Sequence, residues 1–197
     1  MKIICFEGPD GLGKTTQANE LINSLNDKGY KVKYFKLPTT NTFIGNLISK
    51  MLKNGFAKRN PNVFQLINSL DKFLFQIKYL NNNNIDYIIL DRWHLSSVVY
   101  GISGGANKNI VNKFWKVLKE PDLTFIFKGE NFLNKRENLD SYESDNNFQL
   151  EVLKNYDLFS KEIKNCFIIN ANESIFNISE KIINITLNNN TENKNVK

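Results

Sequence analysis

The run Gly8-Pro9-Asp10-Gly11-Leu12-Gly13-Lys14-Thr15 constrains this chain more than any other feature, because it matches G-x-x-x-x-G-K-[ST] between a strand-like and a helix-like pattern. Before it, Lys2-Ile3-Ile4-Cys5-Phe6 is a short β-rich apolar run. After it, Ala18, Leu21, Ile22 and Leu25 fall on one helical face. Glycines in such a turn let backbone N–H groups curl round phosphate oxygens, and the following helix N-terminus adds positive potential. Lys14 is then placed to reach the outer phosphates of a nucleotide, and the Thr15 hydroxyl can ligate Mg²⁺. Gly8, Pro9, Asp10, Gly11, Leu12, Gly13, Lys14, Thr15 and Thr16 are the expected nucleotide contacts of this loop.

Further along, strands alternate with helices. Lys31 to Phe35 reads as a second strand, and Pro38 breaks the chain before a helix with Ile44, Leu47, Ile48, Met51 and Leu52 on one face. Asn60-Pro61 opens a long helix whose apolar face reads Phe64, Ile67, Leu70, Leu74 and Ile77. Ile85 to Leu90 is nearly all apolar and fits a central strand covered on both faces, with Asp91 at its carboxyl end. A helix with Ile110, Val111, Phe114, Trp115 and Leu118 follows, then a strand from Asp122 to Phe127. The polar segment from Lys128 to Glu143 has no clear period and reads as a loop or lid, placed at about 129–143. A helix with Phe148, Val152, Tyr156, Phe159 and Ile163, a strand at Cys166 to Ile169, and a helix from Ile175 to Leu187 complete the pattern. The expectation is an α/β fold with a parallel five-stranded sheet flanked by helices on both faces, as one domain over 1–187, with a polar, frayed tail at 188–197.

Length and composition agree. At 197 residues with 41% hydrophobic and 23% charged, the chain can bury a single core without disulfides. Cys5 and Cys166 lie in apolar strand-like runs and read as free buried thiols, which suits a reducing, cytoplasmic setting. No apolar run reaches the roughly 20 residues of a membrane-spanning helix. The net charge of +6 favours anionic partners. No interleaved basic and aromatic run of the kind that single-strand binding uses is found, so nucleotides are expected as partners and nucleic acid and membrane are not. A GTP-dependent switch would need a guanine-reading N-K-x-D after a strand, and none of the Asn-Lys pairs supplies it.

Around the loop, Phe6-Glu7-Gly8-Pro9-Asp10 through Thr16-Gln17 resembles the F-E-G-x-D-x-x-G-K-[ST]-T-Q loop of the thymidylate kinase family of P-loop nucleoside monophosphate kinases. Asp91-Arg92-Trp93 with Ser96 and Tyr100 is similar to that family's D-R-[YHW] motif. Pro121-Asp122-Leu123 resembles its P-D-L strand start, and Tyr142-Glu143 with Phe148-Gln149 resembles its Y-E…F-Q segment. The resemblance covers most of the chain. It implies ATP as donor, Mg²⁺, a deoxynucleoside monophosphate such as dTMP as acceptor, and a homodimer. By the same resemblance Lys14 and Mg²⁺ would take the donor phosphates, with Thr15 and Asp91 serving the metal, Asp91 by orienting its bound water or else an acceptor contact. Arg92 would take the acceptor phosphate, and Arg136 with Lys135 would close from the lid. Asp10 would hold the deoxyribose 3′-hydroxyl, Tyr100 and Tyr142 would pack beside the sugar, Ser96 and Gln149 would line the acceptor site, and Ala171 would border adenine.

Three departures bear on the acceptor. Where the family has an Arg after the proline, Thr40 stands, and Lys36 is the substitute at hand. Where it stacks a Phe and points an Arg at thymine, this chain has Asn68 and Lys72. Lys still donates a hydrogen bond, but Asn cannot stack like Phe. A kinase for another or broader set of deoxynucleoside monophosphates is therefore the alternative. A deoxynucleoside kinase, whose acceptor has no phosphate, would leave Arg92 and Lys36 without an obvious partner. A non-catalytic nucleotide-binding protein is the remaining reading. His94, the one histidine, reads as structural, because this transfer needs no proton carrier.

Overall fold

The computed structural model describes residues 1–81, 84–129, 142 and 145–192. Its strands are β1 (Lys2–Glu7), β2 (Val32–Lys36), β3 (Tyr87–Asp91), β4 (Leu123–Lys128) and β5 (Cys166–Asn170). All pair in parallel, in the order β2-β3-β1-β4-β5. The sheet is thus the parallel five-stranded one expected. Ile3, Ile4, Cys5 and Phe6 are fully buried because β1 has a strand on each edge and helices over each face, which removes any reason for polar alternation. From β1 the chain goes on to β2 beyond β3, whereas from β3 it goes on to β4 beyond β1. Segments leaving neighbouring strands in opposite directions open a crevice at the carboxyl edge, and the loops after Glu7 and Asp91 both emerge there.

The helices are α1 (Lys14–Asp27), α2 (Phe43–Lys53), α3 (Phe56–Arg59), α4 (Pro61–Tyr79), α5 (His94–Ser103), α6 (Lys108–Trp115), α7 (Asn146–Phe159) and α8 (Ile175–Glu192). On one face of the sheet, Leu21 and Leu25 of α1 and Ile178 and Ile182 of α8 pack on Ile4, Phe6 and Phe125. Phe6 meets Phe125 edge-on, ring centroids 5.6 Å apart. On the other face, Phe75 of α4 and Trp93 join Ile3, Cys5, Ile88 and Leu90. A third cluster joins α2, α5 and α7 through Ile48, Val98, Val99 and Val152. Thr42 starts α2 by accepting the Gly45 N–H at 2.9 Å, and Asp145 starts α7 by accepting that of Phe148 at 3.0 Å. No helix among the described residues is long and apolar enough to cross a membrane.

Several local expectations need correction. The apolar residues expected to face the core along α4 do so only in part: Phe64 is buried, yet Leu70, Leu74 and Ile77 are 47%, 46% and 54% exposed. The buried side of α4 is instead Gln65, Asn68, Ser69, Asp71 and Lys72 with Phe64 and Phe75. Residues 94–103 form a helix that the pattern did not mark, and Phe56–Arg59 form another. The last helix continues past Leu187 to Glu192. Cys5 is buried and Cys166 only partly so; both are free thiols. The proposed lid lies outside the described residues except for Gly129 and Tyr142.

Candidate active site

The loop after β1 passes so close to β4 that a Cβ on Gly8 would lie 2.5 Å from the Phe127 carbonyl oxygen, and Gly8 also takes φ 122°, so only glycine fits there. Gly13, at φ 80°, is the residue from which α1 starts. Lys14 is buried. Its Nζ donates to the carbonyls of Gly8 at 3.0 Å and Pro9 at 2.6 Å and lies 3.6 Å from Asp10 Oδ1. Burial first, then the neighbouring Arg92 charge, brings its pKa down to about 8. An open cavity of about 510 Å³ spreads in front of it, lined by Asp10, Gly11, Gly13, Thr15, Thr16, Lys36 and Asp91 as well. Leu12 turns inward, and the space beside Gly129 is bounded by Leu12, Asn172 and Ala171. The Ala171 N–H donates to the Lys128 carbonyl at 2.7 Å, so this corner sits at the carboxyl ends of β4 and β5.

Asp91 closes the cavity from β3. Its Oδ2 accepts from Thr15 Oγ1 at 3.4 Å and from the Tyr34 hydroxyl at 3.1 Å, while its Oδ1 is buried without a hydrogen-bond partner. Burial and then the Asp91 charge push the Tyr34 pKa up to about 12, which keeps that hydroxyl a donor. A hydroxyl and a carboxylate are hard oxygen ligands, and Mg²⁺ takes one or two of these together with phosphate oxygens and water. Among the described residues no group of three or more His, Cys, Asp or Glu could hold a metal alone. The orphaned Oδ1 beside Thr15 therefore fits a cation shared with nucleotide phosphates and does not fit an all-protein cage.

Arg92 leaves β3 in the opposite direction, toward a cavity of about 160 Å³ beside the phosphate loop. Its guanidinium donates to Asp10 Oδ2 at 2.6 Å and to the Tyr100 hydroxyl at 3.2 Å, and sits 4.8 Å from the Tyr100 ring centre. The polar side of α4 forms another wall. Asn68 Nδ2 donates to Ser97 Oγ at 3.1 Å; Lys72 Nζ donates to the Trp93 carbonyl at 2.6 Å and to Ser97 Oγ. Burial lowers the Lys72 pKa to about 8, with Glu7 the first of the charges opposing that shift. Leu37, Ile48, Leu52 and Phe64 supply apolar surface, and Tyr142 closes the far side, stacked on Phe148 at 4.4 Å. Leu37 precedes Pro38 through a cis peptide, and the loop beyond is tied to α4 where Asp71 accepts the Thr39 N–H at 3.0 Å and hydroxyl at 2.6 Å.

A sequence model described as thymidylate kinase matches residues 6–182. The chain belongs to the thymidylate kinase family. A thymidylate kinase of Prochlorococcus marinus (strain AS9601) is 33% identical over 210 residues, covering 98% of this chain and 99% of its own. One of Plasmodium falciparum is 34% identical over 130 residues, 63% of this chain and 60% of its own. The solved structure of thymidylate kinase from Candida albicans superposes with a TM-score of 0.74 at 22% identity, over 96% of this chain and 92% of that one, so the fold is shared.

Set against the thymidylate kinase motifs, Lys14, Thr15, Asp10, Asp91 and Arg92 converge at the carboxyl edge of β1 and β3. Lys36, Asn68, Lys72, Ser96, Tyr100 and Tyr142 line the smaller cavity with Arg92. Gln149 is not in that lining; its Nε2 donates to the Tyr142 carbonyl at 3.0 Å and so fixes Tyr142. Thr40 is exposed beside the 39–42 turn, in a neighbouring groove. Arg136, Lys135 and Glu143 lie outside the described residues. His94 is buried, its pKa pushed down to about 4 by burial, and its ring meets Trp115 edge-on at 5.2 Å. The residues to which motif reading gives no role are Tyr34, Gln65 and Ser97 at the site and, beneath it, Glu7, which the loop motif includes. Gln65, Asn68 and Lys72 do recur at i, i+3 and i+7, a polar helical stripe as regular as the apolar one that drew attention instead.

Proposed function

We propose that this chain transfers the γ-phosphoryl group of ATP to dTMP, giving ADP and dTDP. One observation carries the reading: Asp10 holds Lys14 on one carboxylate oxygen and Arg92 on the other, so a donor-side and an acceptor-side cation are fixed next to each other. Phosphoryl transfer asks mainly for positioning and charge neutralisation along the line of the moving group. Lys14 and the N–H groups of the Gly8–Gly13 turn bind the donor phosphates, and Arg92, assisted by Lys36, binds the acceptor phosphate. An acceptor phosphate oxygen bonds to the γ-phosphorus as the bond to the bridging oxygen breaks, with no covalent enzyme intermediate. When bound, Mg²⁺ neutralises the donor phosphate oxygens, and Thr15 and Asp91 are the residues that would hold it. Asp10 also meets the deoxyribose 3′-hydroxyl, the Tyr100 and Tyr142 rings occupy the room a 2′-hydroxyl would need, and Ala171 borders adenine. Arg136 and Lys135 keep the lid role that the family motif gives them.

The wall of Asn68, Lys72 and Ser97, where the family presents a stacking ring, favours one second reading: acceptance of further deoxynucleoside monophosphates beside dTMP. A second copy of the chain covers the outer face of α4, where Val63, Leu66, Leu70, Phe73, Leu74 and Ile77 form an exposed apolar stripe. The test is ADP release from ATP and Mg²⁺ with dTMP, dUMP, dGMP, dCMP, dAMP, UMP and thymidine offered separately, Lys14→Ala serving as the blank. Preference for dTMP is expected. Release centred on several deoxynucleotides would establish the broader reading, and no acceptor-dependent release would overturn both.

A further inference from the structure

Glu7 is fully buried at the end of β1, one residue before the phosphate loop, and touches neither cavity. Its carboxylate nonetheless collects donors from across the sheet. Oε1 accepts the N–H of Trp93 at 2.8 Å and that of Ser96 at 3.3 Å; Oε2 accepts the Ser96 hydroxyl and, at 3.4 Å, that of Tyr156. Trp93 is the residue from which α5 starts, and its side chain supplies no cap. A first-turn N–H ordinarily finds a Ser, Thr or Asp oxygen from the chain just before it. Here a carboxylate from another strand fills that place.

What lies between the two strands gives this cap its consequence. Arg92 holds φ 70°, the left-handed region in which a Cβ crowds the following carbonyl oxygen. The peptide groups on both sides of Arg92 are pinned to β1: its own N–H to the Phe6 carbonyl at 2.8 Å, and the next N–H to Glu7. With both pins in place the guanidinium crosses to Asp10 and Tyr100. Without the second, the peptide after Arg92 is free to turn, and the residue relaxes toward ordinary dihedrals that aim its side chain elsewhere.

We infer that Glu7 is a positioning residue for acceptor binding: by capping α5 it keeps Arg92 in the strained backbone conformation that presents its guanidinium to the acceptor phosphate. This rests on the proposed function, in which Arg92 meets that phosphate. The test measures dTMP and ADP affinity by calorimetry on four chains: wild type, Glu7→Met, Arg92→Ala and the double variant; Met matches the length of Glu and offers the Trp93 N–H no oxygen. Glu7→Met should weaken dTMP binding by about tenfold and ADP binding by less than about threefold; in the Arg92→Ala background the same substitution should change dTMP binding by less than about twofold. Loss of both affinities together, or a tenfold loss that persists without Arg92, overturns the inference. Should Glu7→Met fail to fold, Glu7→Asp decides by the same criteria, since it keeps the charge and withdraws it by one methylene from the Trp93 N–H. A wild-type chain that binds ADP but not dTMP overturns the kinase reading itself, whereas one that binds dTMP no better than its folded Glu7 variant overturns the role of Glu7 alone.

Discussion

Lys72 shows how much a single buried cation can report. Its ammonium spends hydrogen bonds on the Trp93 carbonyl and Ser97 Oγ, and its pKa of about 8 lies below the 10.5 of free lysine. Between those values the unfolded chain keeps a proton that the folded chain has released, so this residue adds stability as pH rises from 8 toward 10.5 and carries its full burial cost below 8. Lys72→Met removes that dependence. Relative to wild type, the variant should therefore lose about 2 kcal/mol of its advantage between pH 7 and pH 9.5, at about 1.4 kcal/mol per pKa unit. Urea unfolding at the two pH values reads the gap, and a constant gap would refute the assignment. Lys14, shifted the same way, is common to both chains and cancels. In turnover, the same substitution should change the ranking of acceptor bases by about tenfold more than it changes the KM for ATP, and an unchanged ranking would remove Lys72 from base recognition.

Among the elements, α4 carries opposite duties on its two sides. On its inner, buried stripe Gln65, Asn68 and Lys72 wall the smaller cavity and Asp71 anchors the 39–42 turn, while its outer stripe of Leu70, Leu74 and Ile77 faces solvent. If a second copy covers that stripe, Leu74→Glu should turn a dimer into a folded monomer by sedimentation, with far-ultraviolet dichroism unchanged. A wild-type chain already monomeric at micromolar concentration would exclude the dimer. This helix also marks where sequence reading stops. Period alone shows that an apolar stripe exists and says nothing of what lies over it, so Phe64 and Leu74 looked alike. By contrast, β1, β3 and the loop at Gly8–Thr15 were legible because burial on both faces and a phosphate-cradling turn leave few sequence solutions. The α5 helix was obscured since its cap comes from Glu7 on a distant strand, a contact no local pattern can carry. Tyr34 was hidden for a related reason: its partner Asp91 is a neighbour across β2 and β3 only once the strands are in register.

For the whole molecule, the helical layers share one sheet, and Phe6, Phe125 and Trp93 bind those layers to it from both faces. Calorimetry should accordingly show one unfolding transition. ADP at about a hundred times its Kd should add about 2.7 kcal/mol, raising the midpoint by roughly 5–10 °C for a chain of this size. Two transitions, only one of them moved by ADP, would divide the chain into separate folding units. The register that pairs Phe6 with Asp91 has a last consequence. Adjacent strands keep about 4.8 Å between them whatever side chains they bear. Arg92 follows β3 directly and Lys14 follows β1 through the phosphate loop, so a backbone lattice spacing sets how far apart the two segments that carry these cations start. Side chains on either strand can be exchanged and leave that starting distance as it is.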